Sequence, residues 1–300
     1  MAISPHNQLR SRPPLRLRRR HRRRLEEFLL QDVDANLFSL AWLEHRGIEP
    51  RRRGRFGYYA VMDDDETIRA VALDISDRLL LLDTRHGEDA RHFASFFRSQ
   101  AVQFRHIVSR RRSVTPFWQV YADPSPGPPP ARARLIQYQQ LYRLLPREFD
   151  APRRRHSSVR RGKLSELDPI FLASVAMHRE ETEEDPLERN PSGFHRHVRQ
   201  RIERGRTFVW IDEQRRLVFK ADISTQSRHG AQISGVYTAP DMRNRGVATR
   251  AMTDICTILF EEGIPRLTLY VNEKNEPARR VYERLGFVNV APYQTIFVAD

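Results

Sequence analysis

The stretch that decides the fold is Gly235–Ala248, GVYTAPDMRNRGVA, in a chain of 300 residues. Residues 232–238 predict a strand, and Arg243, Arg245 and Gly246 fill the turn after it. Val247, Ala251, Ile255, Ile258 and Leu259 then recur at helical spacing over 246–262, before Gly263 and Pro265 stop the helix. A helix that starts straight out of a turn presents unpaired backbone N–H groups and a partial positive charge. A glycine at the entry lets the backbone come close to a phosphate, and a pyrophosphate fits such an end. By physics alone this is an anion site, or an ordinary strand-to-helix turn.

Working outward, Leu267–Val271 is an apolar strand of the buried parallel kind. It leads into LYVNEKNEPARRVYERLGF (269–287), where Asn275 suits an N-cap, Pro277 the first turn and Gly286 the position just past the helix end. Ala278, Val281, Tyr282 and Leu285 share one face, which makes Tyr282 a core tyrosine. A phenol at a pocket edge can also donate a proton to a departing thiolate. Val288–Val290 and Thr295–Val298 are the last two strands expected. Upstream, residues 165–182 carry a helical stripe (Leu167, Ile170, Phe171, Val175) and Phe194–Arg204 form a second helix. Thr207–Ile211 and Leu217–Ile223 make a hairpin around Glu213–Arg216. The order is that of a mixed α/β (α+β) domain with a mixed sheet, not a doubly wound one.

The first half alternates in a similar way. One helix is expected from Arg22 until Gly47 and Pro50 stop it, followed by strands at Phe56–Met62, Ile68–Leu73 and Leu79–Leu82. A helix over 87–99 carries Phe93, Phe96 and Phe97, and Phe104–Val108 is a short strand. Pro124–Pro130 is a structureless loop and Arg134–Leu144 a closing strand. The domains expected are a disordered Arg-rich tail (1–24), a smaller mixed α/β domain (25–150), the start of a basic junction (151–156) and a second domain (157–300).

The formal charge of +14 is confined to two places. Residues 1–24 hold nine arginines and no acid, and 153–163 (RRRHSSVRRGK) add five arginines and a lysine, while both folded parts are close to neutral. Only Lys163, Lys220 and Lys274 are lysines, a bias that looks genomic. An arginine cluster can condense on phosphates, but no aromatic platform is interleaved with it, as single-strand binders require. A solvated tail is the plainer meaning. The single cysteine, Cys256, excludes a disulfide framework and a cysteine metal cluster, and fits a reducing compartment. The longest charge-free run, 285–299, falls short of a membrane span, and the first 24 residues have no apolar core of a secretory signal. A cytoplasmic protein is expected.

The two motifs together resemble the GNAT superfamily of N-acetyltransferases. Arg243-Asn244-Arg245-Gly246-Val247-Ala248 matches its R/Q-x-x-G-x-G/A acetyl-CoA loop, and Asn275-x-x-Ala278-x-x-x-Tyr282-x-x-x-Gly286-Phe287 matches its later signature helix. VFKADI (218–223) and MHREE (177–181) look like a bacterial subgroup with an uncharacterised N-terminal domain. The resemblance covers about 157–300 and implies a GNAT-type domain there, with acetyl-CoA as acyl donor and no metal. It implies that backbone groups of Val236 and Thr238 hold the pantetheine arm and acetyl carbonyl. The N–H groups of Arg243, Asn244, Arg245, Gly246, Val247 and Ala248, with both arginine side chains, take the pyrophosphate. Asn275 contacts the cofactor arm, and Tyr282 protonates the thiolate after an amine attacks the thioester directly. The motifs do not fix the general base. Glu181 ranks first among Glu180, Glu181 and Glu183, and His178 is the nearby imidazole. Five acids in 180–185 suit a cationic amine, although an acidic run is more often a solvated loop.

The first half also suits a degenerate copy of the same fold. It lacks the acetyl-CoA loop, since Arg85-His86-Gly87 has the wrong spacing, and no acetyl-CoA is expected there. The leading function is N-acetylation of a small-molecule or peptide amine, with no membrane partner. The alternatives are a non-enzymatic acyl-CoA-binding regulator, and a nucleic-acid- or ribosome-associated protein acting through the basic tail.

Overall fold

The structure, a computed structural model, describes residues 12–50, 56–76, 78–124, 130–150 and 157–299. In chain order the first half runs β1 (Leu15–Arg16), α1 (Arg22–Leu30), α2 (Val33–Arg46), β2 (Phe56–Met62), β3 (Ile68–Ile75), β4 (Leu79–Thr84), α3 (Gly87–Ser99), β5 (His106–Arg110), α4 (Arg111–Tyr121) and β6 (Ala133–Leu144). The second half runs β7 (Arg160–Arg161), α5 (Leu167–Thr182), α6 (Pro186–Arg189), α7 (Pro191–Glu203), β8 (Thr207–Ile211), β9 (Leu217–Ser227), β10 (Gly230–Thr238), α8 (Val247–Glu261), β11 (Leu267–Asn272), α9 (Glu276–Arg284) and β12 (Val288–Val298).

Two compact units interleave along this sequence. Unit 1 takes residues 1–31, 46–136 and 294–300; unit 2 takes 32–45 and 137–293. In unit 1, β1, β2, β3 and β4 are antiparallel neighbours in turn, β5 lies parallel to β4, and the end of β12 follows β5. In unit 2, β7, β8, β9 and β10 are antiparallel neighbours in turn, β11 lies parallel to β10, and β6 follows β11. The order repeats, and so do the senses of the first five strands of each unit, as a degenerate copy requires.

Phe93, Phe97, Phe104 and Phe117 fill the core of unit 1, with Phe97 meeting Phe104 edge-on at 5.0 Å. Edge-to-face packing of this kind adds to the area the rings remove from water. Unit 2 is centred on Phe208, Phe219, Ile233, Met252, Cys256 and Leu269, and α8 turns its Val247, Ala251, Ile255 and Leu259 inward as the periodicity predicts.

Four features depart from the sequence reading. The single helix expected from Arg22 is two, because Asp32 caps a new start: its Oδ1 accepts from the Ala35 N–H at 3.2 Å. Helix α4 was not foreseen between Val108 and Pro124. Pro116 and the β-branched Val114, Thr115 and Val120 weigh against a helix there, and burial of Val114, Phe117 and Tyr121 overrides that preference. The two closing strands are one, β12, which runs through Pro292. Finally, residues 12–24 are ordered. Leu17 is buried, and Arg18 and Arg24 pair with Glu49 and Glu66 at 3.0 and 2.5 Å. The loop expected around Pro124–Pro130 and the junction at 151–156 fall largely outside the described residues.

Candidate active site

Strand β10 and the turn after it carry the site in unit 2. The parallel ladder to β11 pairs Ala231, Gln232 and Ile233 with Leu267, Thr268 and Leu269. Beyond it, β10 bulges by one residue between Ser234 and Tyr237, with Gly235 at φ +57°. A bulge bends and twists its strand, and here it re-aims Val236 and Thr238. Eight residues, Ala239–Gly246, then lead to α8. Asn244 and Gly246 adopt positive φ (60° and 72°), so the chain coils tightly into the helix. No side chain caps the start of α8, which leaves the first N–H groups of a 15-residue helix for another acceptor. Its neighbour differs: Asn275 caps α9, its Oδ1 accepting from the Ala278 N–H at 3.2 Å.

Of the two loop arginines, Arg243 is engaged. Its Nε donates to the Thr238 carbonyl at 3.1 Å, and its Nη2 meets both carboxylate oxygens of Glu180 at 2.9 and 3.0 Å. Arg245 is exposed beside it. The acidic run is spent in the same way. Glu180 holds Arg243, Glu184 pairs with Arg189 at 3.0 Å, and Asp185 pairs with Arg179 and caps α6.

Glu181 is different. It keeps contact with solvent at the end of α5, yet desolvation is the largest influence on its carboxyl, whose pKa is raised; Asp222 and Glu180 push the same way and Lys220 opposes. Tyr282 lies within electrostatic reach of it. The phenol is buried on α9 between Phe287 and Tyr142, at ring distances of 5.8 and 6.4 Å. Burial first, then Glu181 and Cys256, push its pKa well above the ordinary tyrosine range, so it carries its proton at neutral pH. A phenol that keeps its proton and a carboxyl of raised pKa thus lie within electrostatic reach of each other. The thiol of Cys256 is driven upward by burial and is inert. The ring of His178 packs against Phe194 instead.

A buried ionic cluster escaped the sequence reading. Lys220 is fully buried on β9, and its Nζ donates to Asp222 at 2.6 Å and to the Gly235 carbonyl at 3.1 Å. Asp222 also accepts from Arg201 at 2.6 Å and from the Thr207 hydroxyl at 2.8 Å. Burial raises the Asp222 carboxyl, and Lys220 and Arg201 more than reverse it, so it is ionised. The signal was two opposite charges two residues apart in the otherwise apolar stretch Val218–Ile223, which share one face of a sheet.

Unit 1 has the same strand geometry with the same positions closed. Its parallel ladder ends at Leu80–Ile107, as that of unit 2 ends at Ile233–Leu269. Allowing for the bulge, Leu82 and Thr84 stand where Val236 and Thr238 do. The Leu82 N–H donates to Ser109 at 2.6 Å, and the Thr84 hydroxyl meets Ser113 at 2.9 Å. Only Arg85 and His86 separate β4 from α3. Among the described residues no group of three or more His, Cys, Asp or Glu is placed to hold a metal ion, and no helix is long and apolar enough to cross a membrane.

Comparison with known proteins places the site in context. Residues 174–287 match the family model of the acetyltransferase (GNAT) family. An 80-residue stretch is 34% identical to a mycothiol acetyltransferase of Brachybacterium faecium, covering 27% of this chain and 22% of that protein. The chain therefore matches only about a fifth of that relative's length. Among solved structures, a GCN5-related N-acetyltransferase from Sphaerobacter thermophilus is similar with a TM-score of 0.58 at 13% identity, over 94% of both chains. A tandem GNAT protein from the clavulanic acid biosynthesis pathway gives 0.55 at 13% identity, over 96% of this chain and 97% of that one. A Drosophila protein gives 0.64 at 10% identity, over 95% and 98%. At such identities the likeness is one of fold, and it extends over both halves.

Proposed function

Residues 174–287 form a domain of the acetyltransferase (GNAT) family, and on that premise we propose that the chain is an N-acetyltransferase moving an acetyl group from acetyl-CoA to a primary amine. The observation that carries the reading is the uncapped N-terminus of α8 behind Gly246, reached from a β10 end that has left its parallel ladder. These features fit a long anionic thioester. N–H groups of Arg243–Ala248 would bind the pyrophosphate, with Arg245 and, once released from Glu180, Arg243 adding charge. Backbone groups of Val236 and Thr238 would align the pantetheine arm and the acetyl carbonyl, and Asn275 would touch the arm with the amide that its capping bond leaves over.

Acetyl-CoA supplies an activated acyl group, so the chain itself has to orient the reactants and move two protons. Glu181, ionised, takes a proton from the incoming ammonium, directly or through water; its raised pKa makes it a better base than an ordinary glutamate. The free amine attacks the thioester carbonyl, and as the C–S bond breaks Tyr282 gives its phenolic proton to the departing sulfur, the second proton shed by the nitrogen restoring the phenol. Neither step calls on a metal or on the buried Cys256. The acceptor is a small-molecule or peptide amine, and the protein is expected to work in the cytoplasm.

Tyr282→Phe tests the assignment. Removing the donor should lower kcat by about 100-fold or more, while acetyl-CoA binding, followed by thermal shift, stays nearly unchanged. An unaltered kcat would remove Tyr282 from the chemistry. Binding of acetyl-CoA by the unsubstituted chain with no turnover on any of a broad panel of amines would favour an acyl-CoA-binding regulator.

A further inference from the structure

We propose that Lys220, braced by Asp222, is a positioning residue that holds the Gly235 bulge of β10 in register, so that the backbone of Val236 faces the acetyl carbonyl. The inference rests on the acetyltransferase reading and adds to it a residue that lies on neither family motif.

The argument begins with burial. An ammonium removed from water is costly unless it is paired and its donors are used. Lys220 is fully buried, and it has one acidic partner, Asp222, at 2.6 Å. Asp222 has two further partners, Arg201 and Thr207, so it is held in place from more than one side. What Lys220 adds is a bond from Nζ to the Gly235 carbonyl at 3.1 Å, which no other side chain among the described residues supplies. That carbonyl sits inside the bulge, where β10 and β9 fall out of register between Ser234 and Tyr237.

Sterics tie the same three residues together. Gly235 has a positive φ, and a Cβ there would lie 2.6 Å from Asp222 Oδ2 and 3.3 Å from Lys220 Nζ. The ion pair therefore packs directly against the glycine and sets the path of the strand. Met177 of α5, whose sulfur stands 4.0 Å from Nζ, closes the remaining side. The Gly235 carbonyl and the Val236 N–H belong to one planar peptide unit, so the ionic hydrogen bond that fixes the carbonyl also aims the N–H. Aim matters there, because a donor contributes to catalysis only if it points where charge develops.

The test compares the unsubstituted full chain with Lys220→Met and, as a perturbation of the same contact from the strand side, Gly235→Ala. Three quantities are read: cooperative melting, the Kd for coenzyme A and for acetyl-CoA, and the infrared carbonyl band of bound acetyl-CoA labelled with 13C at the carbonyl. In the unsubstituted chain the band should move to lower wavenumber on binding, the mark of a hydrogen bond to the thioester oxygen. In Lys220→Met the shift should vanish and kcat fall by about 100-fold, with the Kd for coenzyme A within about threefold, because the pyrophosphate loop is untouched. Should Lys220→Met fail to melt cooperatively, Gly235→Ala is required to show the same loss of band shift. A folded variant that keeps the full shift and kcat overturns the brace and leaves the acetyltransferase reading standing. Failure of the unsubstituted chain to bind acetyl-CoA overturns that reading, and the brace with it.

Discussion

His106 makes the stability of unit 1 depend on pH in a way the sequence alone would not suggest. It opens β5, its ring stacks on Phe297 at 4.7 Å, and its Nε2 has no hydrogen-bond partner among the described residues. Burial pushes the imidazole down to about 4 from an ordinary 6.5. The sign follows from which state binds the proton. Below pH 6.5 the unfolded chain takes up a proton that the folded chain refuses until about pH 4, so stability is full above 6.5 and is lost as pH falls between those values. The difference of 2.5 units (6.5 − 4) corresponds to about 3 kcal/mol once both forms are protonated. At pH 5 about 2 kcal/mol of it is already gone. His106→Phe keeps a ring against Phe297 and removes the titration. Melting followed by circular dichroism at pH 7 and pH 5 should show the unsubstituted chain losing several degrees more than the variant. Carboxylates titrate alike in both and cancel from the comparison. Parallel losses in the two proteins would refute the reasoning.

Two further outcomes are expected. Glu181 has to be ionised to act, and desolvation of its carboxyl raises its pKa; kcat/KM should therefore fall with decreasing pH at a higher pH than an ordinary glutamate would give, and Glu181→Gln should lose both that limb and about 100-fold of the rate. A pH profile that Glu181→Gln leaves in place would assign the base elsewhere. Gly286→Ala should cost about 2 to 4 kcal/mol, because φ is +89° and the new Cβ would stand 2.4 Å from the Glu148 carbonyl oxygen; a melting temperature within a degree of the parent would contradict this.

What was legible in the sequence was local. Gly246 and Gly286 mark a helix start and a helix end because only the backbone at those positions has to turn left-handed, and such a signal needs no distant partner. The stripe of α8 was readable for the same reason. Helix α4 was not, since Pro116 and three β-branched residues argue locally against a helix that exists because Phe117 and Tyr121 have a core to enter. Nor was the role of Lys220. Its own partners are Asp222, the Gly235 carbonyl of β10 and Met177 of α5, and those of Asp222 arrive from β8 and α7, so only the tertiary fold brings the set together. The acidic run was legible only as two alternatives, a cation site or a solvated loop: three of its five carboxylates pair with Arg243, Arg189 and Arg179, and of the other two, Glu181 is set apart by surroundings that raise its pKa.

The sheet of each unit ends on a strand from the other half of the sequence. Unit 1, built largely from residues before 137, is completed by 294–298, whose Ile296 and Val298 lie in its core. A ribosome makes those residues long after the rest of unit 1 has left the tunnel. Unit 1 must wait with β5 unpaired on that side, and an open strand edge is a hazard during synthesis. Nor can the gene be cut between its halves to give two working pieces, since each fragment would carry away the strand its counterpart needs. The two units are thus bound to each other by the path of the chain, whether or not the first keeps any chemistry of its own.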